Sequence, residues 1–450
     1  MTLSFRAVRV AIRPIVAAAF FSAMVAAPAV AQQSSALGPS LNALRPSLNL
    51  SVSLAAAETA ASPVGDPQAP PSDPQAPPAD AQAPPPAPTP AEVAAKQDSA
   101  TMDFFRRTEI SGFADMYYTY NVNKPAKPCL TVGGVAVFNC LYNFNVAHNS
   151  FSMQLAELAL EKKPTADSRA GYRIDLDFGP TTAYVHGAEP GGTAIYQNVQ
   201  QAYVSYLAPA GTGLQLDFGK FVTWNGQEVI ETKDNWNYSR SLLFSWAIPY
   251  YHTGMRAAYS INDKVSVMGF LVNGWNNAVD NNTGKTVGAQ LMFKPTPALM
   301  LMTNYTGGPE TNNDNKPWRH LSDNIVTYTV NKQVSLAANY DYGQDKLSGA
   351  TVKWQGVAGY LKYQANDWFA LSPRVEYYND RDGFTTGVAQ KVKEATVTAE
   401  FKSKDGFLMR LEYRGDFSDI PYFLKNTAEQ VKKQNTVTFG FVYAFSTKAS

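Results

Sequence analysis

Thr436-Val-Thr-Phe-Gly-Phe-Val-Tyr-Ala-Phe445 decides the fold. Val437, Phe439, Phe441, Tyr443 and Phe445 share one face, and Thr436, Thr438, Gly440 and Ala444 share the other. A period of two is that of a strand, and its aromatic face suits lipid. A sheet can cross a bilayer only if it closes on itself and leaves no unpaired edge. The alternation must therefore recur along the chain until a barrel is complete.

It recurs from Glu109 onward. Tyr172, Ile174, Leu176 and Phe178 oppose Arg173, Asp175 and Asp177. Val334, Leu336, Ala338, Tyr340 and Tyr342 oppose Gln333, Ser335, Ala337, Asn339 and Asp341. Ala395, Val397, Ala399 and Phe401 oppose Glu394, Thr396, Thr398 and Glu400, and Met409, Leu411 and Tyr413 oppose Arg410, Glu412 and Arg414. A water-soluble antiparallel sheet alternates in the same way. Aromatic residues at strand ends, where an interfacial girdle would lie, favour the membrane. So does an export signal.

That signal is the N-terminus. Arg6, Arg9 and Arg13 precede an apolar stretch from Ile15 to Val25, and Ala29-Val-Ala31 is a small-residue cleavage site. Residues 1–31 are read as a signal peptide rather than an anchor, because the stretch falls short of the roughly 20 residues a spanning helix needs. Without its three arginines, 38 basic residues become 35 against 37 acids, a net charge of −2. No basic excess for nucleic acid remains. Mean hydropathy is −0.24, which in a membrane protein fits a barrel with only alternate residues on lipid.

Residues 32–105 are read as a disordered periplasmic tether. Asp66-Pro-Gln-Ala-Pro-Pro71 recurs from Asp73 and, with Ala for Pro, from Asp80. Ala/Pro-rich sequence of this kind builds no core and favours extended conformations. It is either a spacer reaching peptidoglycan or a plain extension.

Residues 106–450 are expected to form the barrel, with sixteen strands near 109–121, 150–162, 169–179, 196–208, 213–222, 249–260, 264–274, 284–294, 298–306, 321–330, 333–343, 351–363, 368–379, 392–402, 407–416 and 436–446. Short connections alternate with long ones. The long ones fall at 121–149, 180–195, 222–248, 275–283, 307–320, 380–391 and 417–435. Short turns on one rim and long loops on the other are the pattern of an outer-membrane barrel. The expected fold is thus all-β, a transmembrane antiparallel up-and-down barrel. Cys129 and Cys140 share the first long loop, and an exported chain favours a disulfide between them.

About sixteen strands leave an aqueous lumen. Residues 222–248 are the candidate constriction, with Glu228, Glu231, Asp234, Lys233 and Arg240 among Trp224, Trp236, Tyr238 and Trp246. Strand charges expected in the lumen are Arg173, Asp175, Asp177, Asp217, Arg256, Arg374, Glu376, Arg410, Glu412 and Arg414. Glu228, Glu231 and Asp234 would form an acidic wall opposite a basic wall of Arg173, Arg256, Arg374, Arg410 and Arg414, a field that selects small polar solutes. The bland alternative is that each is an ordinary wetted charge.

Gly219-Lys-Phe-Val-Thr-Trp-Asn-Gly-Gln-Glu228, Asn235-Trp-Asn-Tyr-Ser-Arg-Ser241, Phe244 and Ile248-Pro-Tyr-Tyr-His-Thr-Gly254 resemble the OmpL-like putative β-barrel porin-2 family. In pattern the likeness covers most of 109–446. It implies an outer-membrane porin and supplies no catalytic residue.

Enzyme chemistry has no foothold here. His148, His186, His252 and His320 lie on separate loops and strand ends without metal-ligand spacing, and no GxSxG elbow occurs. No catalytic residue, cofactor or metal is expected. Expected partners are outer-membrane lipid, lipopolysaccharide and small hydrophilic solutes, with a homotrimer carried over from general porins. The expected function is passive diffusion. A substrate-specific sugar or peptide channel, with loop aromatics stacking the solute, and an envelope-anchoring barrel are the alternatives.

Overall fold

The computed structural model describes residues 102–187, 189 and 196–448. The stretch read as a signal peptide and nearly all of that read as a tether lie outside them. Residues 102–107, partly inside the stretch read as tether, form a short helix that leads into the first strand.

Sixteen antiparallel strands form one closed barrel: β1 (Glu109–Asn121), β2 (Phe151–Lys162), β3 (Ala170–Phe178), β4 (Val199–Ala208), β5 (Leu214–Val222), β6 (Tyr251–Ser260), β7 (Val265–Val272), β8 (Thr286–Thr296), β9 (Leu299–Thr311), β10 (Asp314–Thr329), β11 (Val334–Leu347), β12 (Ala350–Asn366), β13 (Phe369–Asp380), β14 (Gln390–Lys402), β15 (Phe407–Ser418) and β16 (Lys433–Ser446). Each strand pairs with its neighbours in sequence. The barrel closes where β1 meets β16, with Ser111 opposite Ser446 and Asn121 opposite Thr436. Every strand expected from the alternation is present, with ends shifted by a few residues.

One connection differs. Residues 307–320, expected as a long loop, instead extend β9 and β10 into a projecting hairpin that turns at Asn312 and Asn313. Asn313 takes φ 58°, a left-handed conformation that Asn tolerates. Its tip, residues 311–316, is exposed on both faces, so that stretch carries no apolar alternation to read. β9 to β12 run to 13, 16, 14 and 17 residues, beyond the ~9–11 needed to cross lipid. They raise the wall of the long-loop rim on that side.

The two barrel faces sort as the alternation requires. Phe439, Phe441, Tyr443 and Phe445 are exposed on the outer face, and Thr436, Thr438 and Gly440 are buried on the inner one. On the short-turn rim Phe369 packs on Phe401 at 5.1 Å and Phe407 faces Phe441 at 6.3 Å, an aromatic girdle at the interface. Val397 lies midway along β14 on the lipid face. Val397→Arg places a charge at mid-bilayer and should cost about 2–4 kcal/mol. Urea unfolding in lipid vesicles measures this; an unchanged midpoint would contradict the lipid-facing assignment.

Candidate functional site: a loop folded into the lumen

Loop 1 (residues 122–150) carries a disulfide between Cys129 and Cys140, with Cα atoms 5.7 Å apart. The bridge backs a small hairpin, Leu130–Val132 with Val135–Val137. The rest of the loop lies in the barrel mouth. Asn139 accepts a hydrogen bond from Asn121 Nδ2 at 3.1 Å, and Tyr142 hydroxyl pairs with Thr436 hydroxyl at 2.8 Å. Phe144 lies 5.8 Å from Phe244 and 4.6 Å from the Arg240 guanidinium.

Loop 3 (residues 223–250) turns inward and crosses the lumen. Its first arm reaches β10 and β11. Gly226 N–H donates to Asp323 Oδ2 and Gln227 N–H to Asn339 Oδ1, each at 3.0 Å. Within the loop, the Asn235 side chain accepts from Val229 N–H at 2.9 Å and donates back to Val229 O at 2.7 Å. That clamp folds the chain into a short 3-10 turn, Thr232–Asp234. Gln154 of β2 donates to the Thr232 hydroxyl at 2.8 Å.

The tip docks on the seam of the barrel. Tyr238 hydroxyl donates to Asp115 Oδ1 of β1 at 2.7 Å, and Tyr238 and Ser239 N–H donate to the Glu412 carboxylate of β15 at 2.6 and 3.0 Å. Its ring lies against Gly440 of β16. A Cβ there would meet Tyr238 ring carbons at 2.2 Å, so only glycine leaves room. On the return, Leu242 N–H donates to Glu376 Oε2 at 2.8 Å. A single π-helical turn, Leu243–Ala247, packs on β12, where Trp354 Nε1–H donates to Ala247 O at 3.0 Å.

Three strand arginines act as hooks. Arg374 Nη1 binds Glu228 Oε1 at 2.8 Å and Ser239 O at 2.7 Å. It also contacts Glu376 and Glu394 at 3.3 Å each. Arg410 is paired with Glu400 at 2.6 Å and donates to Thr232 O and Asn235 O, also at 2.6 Å. Arg414 is paired with Asp416 at 2.8 Å and donates to Arg240 O at 2.7 Å. All three are buried. The guanidinium fork suits this task, because one group can pair with a carboxylate and still reach a carbonyl.

The remaining charges named from the sequence are distributed differently. Arg173 pairs with Asp175 at 2.9 Å, and Arg256 pairs with Asp217 at 2.8 Å, on β3 and on β5 and β6, away from loop 3's anchors. Lys233 pairs with Asp234 at 2.6 Å on the exposed side of the 3-10 turn. Arg240 is buried and spends its donors on loop carbonyls, among them Tyr238 O at 2.7 Å. Glu231 is buried, and burial raises its carboxyl above the ordinary range, with the Asp175 and Asp234 charges adding to this. Glu228 thus touches a basic partner directly, whereas Glu231 lies near other acids. Asp115, Gln154, Asp323, Asn339 and Gly440 also hold the loop, and the sequence reading did not single them out.

Residues 107–445 match the family described as Putative beta-barrel porin-2, OmpL-like. Among solved structures, the anion-selective porin from Comamonas acidovorans is 10% identical, with a TM-score of 0.52 over 75% of this chain and 99% of that one. The in-vitro folded OmpT of Vibrio cholerae in its trimer form is also 10% identical, with a TM-score of 0.50 and the same coverage. At such identities the likeness is one of fold. No curated protein matches the sequence.

Proposed function

Because the chain belongs to the Putative beta-barrel porin-2, OmpL-like family, it is an outer-membrane porin channel, and we propose that small hydrophilic solutes diffuse passively through the space loop 3 leaves in its lumen. The observation that carries this is the course of loop 3 itself: it leaves the wall at β5, crosses to β10 and β11, and docks on β1, β13 and β15 before returning to β6. A segment anchored to so many strands narrows the opening instead of flapping over it. Solutes are selected by size first.

Charge selects second. Asp115, Glu157, Asp177, Glu231, Asp323, Asp341 and Glu412 are buried with no lysine or arginine in ion-pair contact among the described residues. Lys220 and Arg240 are the buried bases in the same position. Acids that ionise along a pore draw cations. Burial raises Glu231, so a preference for cations is expected that strengthens as pH rises. Refolded mature protein in a planar bilayer, under a salt gradient, should give stable single-channel steps with a reversal potential of cation sign. An anion sign would refute the charge assignment, and absence of steps from a heat-modifiable barrel would refute the open channel. A homotrimer is part of the proposal, supported by fold likeness to a porin with a trimer form. So is a wall-reaching tether of residues 32–105, and deletion of residues 32–100 should reduce co-sedimentation with peptidoglycan.

A further inference from the structure

Above loop 3, in the extracellular mouth, lies a cavity of about 530 Å³. That falls within the ~300–1,000 Å³ typical of small-molecule sites. Loop 3 supplies its floor through Trp246 and Tyr250, and the loop after β7 supplies a wall through Trp275 and Asn277. Trp246 and Trp275 are half-buried, so each keeps ring surface on the cavity. Trp246 is fixed by donating to Leu141 O at 2.9 Å and stacks on no other ring among the described residues.

The polar groups are set with capacity to spare. Asn143 spends both donor contacts on Ser245 O and Tyr250 hydroxyl at 2.8 Å, which leaves its Oδ1 as an acceptor. Asn276 accepts from Tyr250 N–H at 2.6 Å, which leaves its Nδ2 as a donor. Asn277 donates to Asn281 at 3.0 Å, which leaves its Oδ1. Arg319, also on the cavity, has its charge met by Asp345 at 2.8 Å, and Glu310 is held by Trp275 N–H at 2.8 Å. The site therefore combines aromatic surface with unused amide donors and acceptors, and the one lining charge without an ion-pair partner among the described residues, Glu310, disfavours an anion.

We propose that this cavity binds a neutral saccharide at the entrance of the channel, and that the site concentrates sugars before they pass loop 3. A hydroxyl donates and accepts through one atom whereas a carboxylate only accepts, so a ring of hydroxyls matches a mixed set of amide groups better than a carboxylate does. The apolar face of a pyranose has the shape and wettability to lie on an indole. A dicarboxylate would meet Glu310 and the amide oxygens without a free cation to offset them. This inference rests on the channel reading, and the two fail in different ways.

Maltose should be titrated against the full mature chain in a planar bilayer, with succinate as the anionic probe and tryptophan emission followed in parallel in detergent. Maltose is expected to block the current saturably and change emission with the same midpoint; succinate should do neither. Trp246→Ala should weaken the midpoint at least tenfold, each variant's sugar-free conductance being recorded first as its own baseline. Trp246→Phe, which keeps a ring, should recover part of it, and heat-modifiability checks that each variant folds. Conductance with no saturable maltose effect, or an effect unchanged in Trp246→Ala, overturns the saccharide site and leaves the channel standing. Saturable block by succinate in place of maltose also overturns it, in favour of an anion site. Loss of all conductance in the parent overturns the channel reading.

Discussion

Excising loop 3 should raise single-channel conductance several-fold and weaken ion selectivity. The cut is geometrically simple. Val222 and Tyr251 face each other across β5 and β6, and directly paired residues are only ~5 Å apart. A short Gly-Ser link can therefore replace residues 223–250. The sixteen-strand ladder does not pass through the loop, so the barrel should persist and still migrate as a heat-modifiable species. What changes is the lumen. Arg374, Arg410 and Arg414 lose loop carbonyls and meet water, and Glu228, Glu231 and Asp234 leave the field. Conductance equal to that of the parent would mean that loop 3 does not limit passage and that the narrowing lies elsewhere.

Arg374→Met should cause the largest loss of stability of any single substitution in the lumen. Arg374 is fully buried and serves Glu228, Glu376 and Glu394 together. Removing one partner of a buried ion group leaves uncompensated charge and costs about 3–5 kcal/mol. Here Glu228 and Glu376 lose their only ion-pair partner among the described residues, while Glu394 keeps Arg414 at 3.7 Å. Loop 3 also loses the grip on Ser239 O, so noisier current should accompany the lower urea midpoint. Adding Glu228→Gln to Arg374→Met should restore part of the loss, since one of the stranded acids becomes neutral. Arg256→Met is the contrast: Arg256 pairs with Asp217 at a partly exposed site, and its loss should cost much less. Equal midpoints for the two variants would argue against a special role for the Arg374 cluster.

The strands were legible because lipid enforces a simple rule on every second residue. Val397, Leu411 and Phe439 all obey it. Where lipid ends, the rule ends, which is why the hairpin of β9 and β10 read as a loop. The lumen obeys no such period. Arg374, Arg410 and Arg414 could be named as inward charges, because strand alternation fixes direction. Their use as hooks could not be foreseen, because it depends on which loop atoms arrive opposite them. Asp115, Asp323, Asn339 and Glu412 are scattered over some 300 residues and meet at loop 3 only through barrel register. One local trace of the site does exist. Gly440 interrupts the polar face of the C-terminal strand, and that gap is the seat of the Tyr238 ring.

The position of that seat has a consequence for assembly. Tyr238 rests on Asp115 from the first strand, on Glu412 from the fifteenth and against Gly440 from the last. One part of its binding place is translated before the loop and the rest long after it. The place is incomplete until β16 has zipped onto β1, so the tip of the loop can lock only as the final event of barrel formation. A partly inserted chain would carry an unlatched loop. If loop 3 is the constriction we propose, completion of the cylinder and narrowing of the channel are one step, and a pore that has not finished folding has not yet acquired its filter.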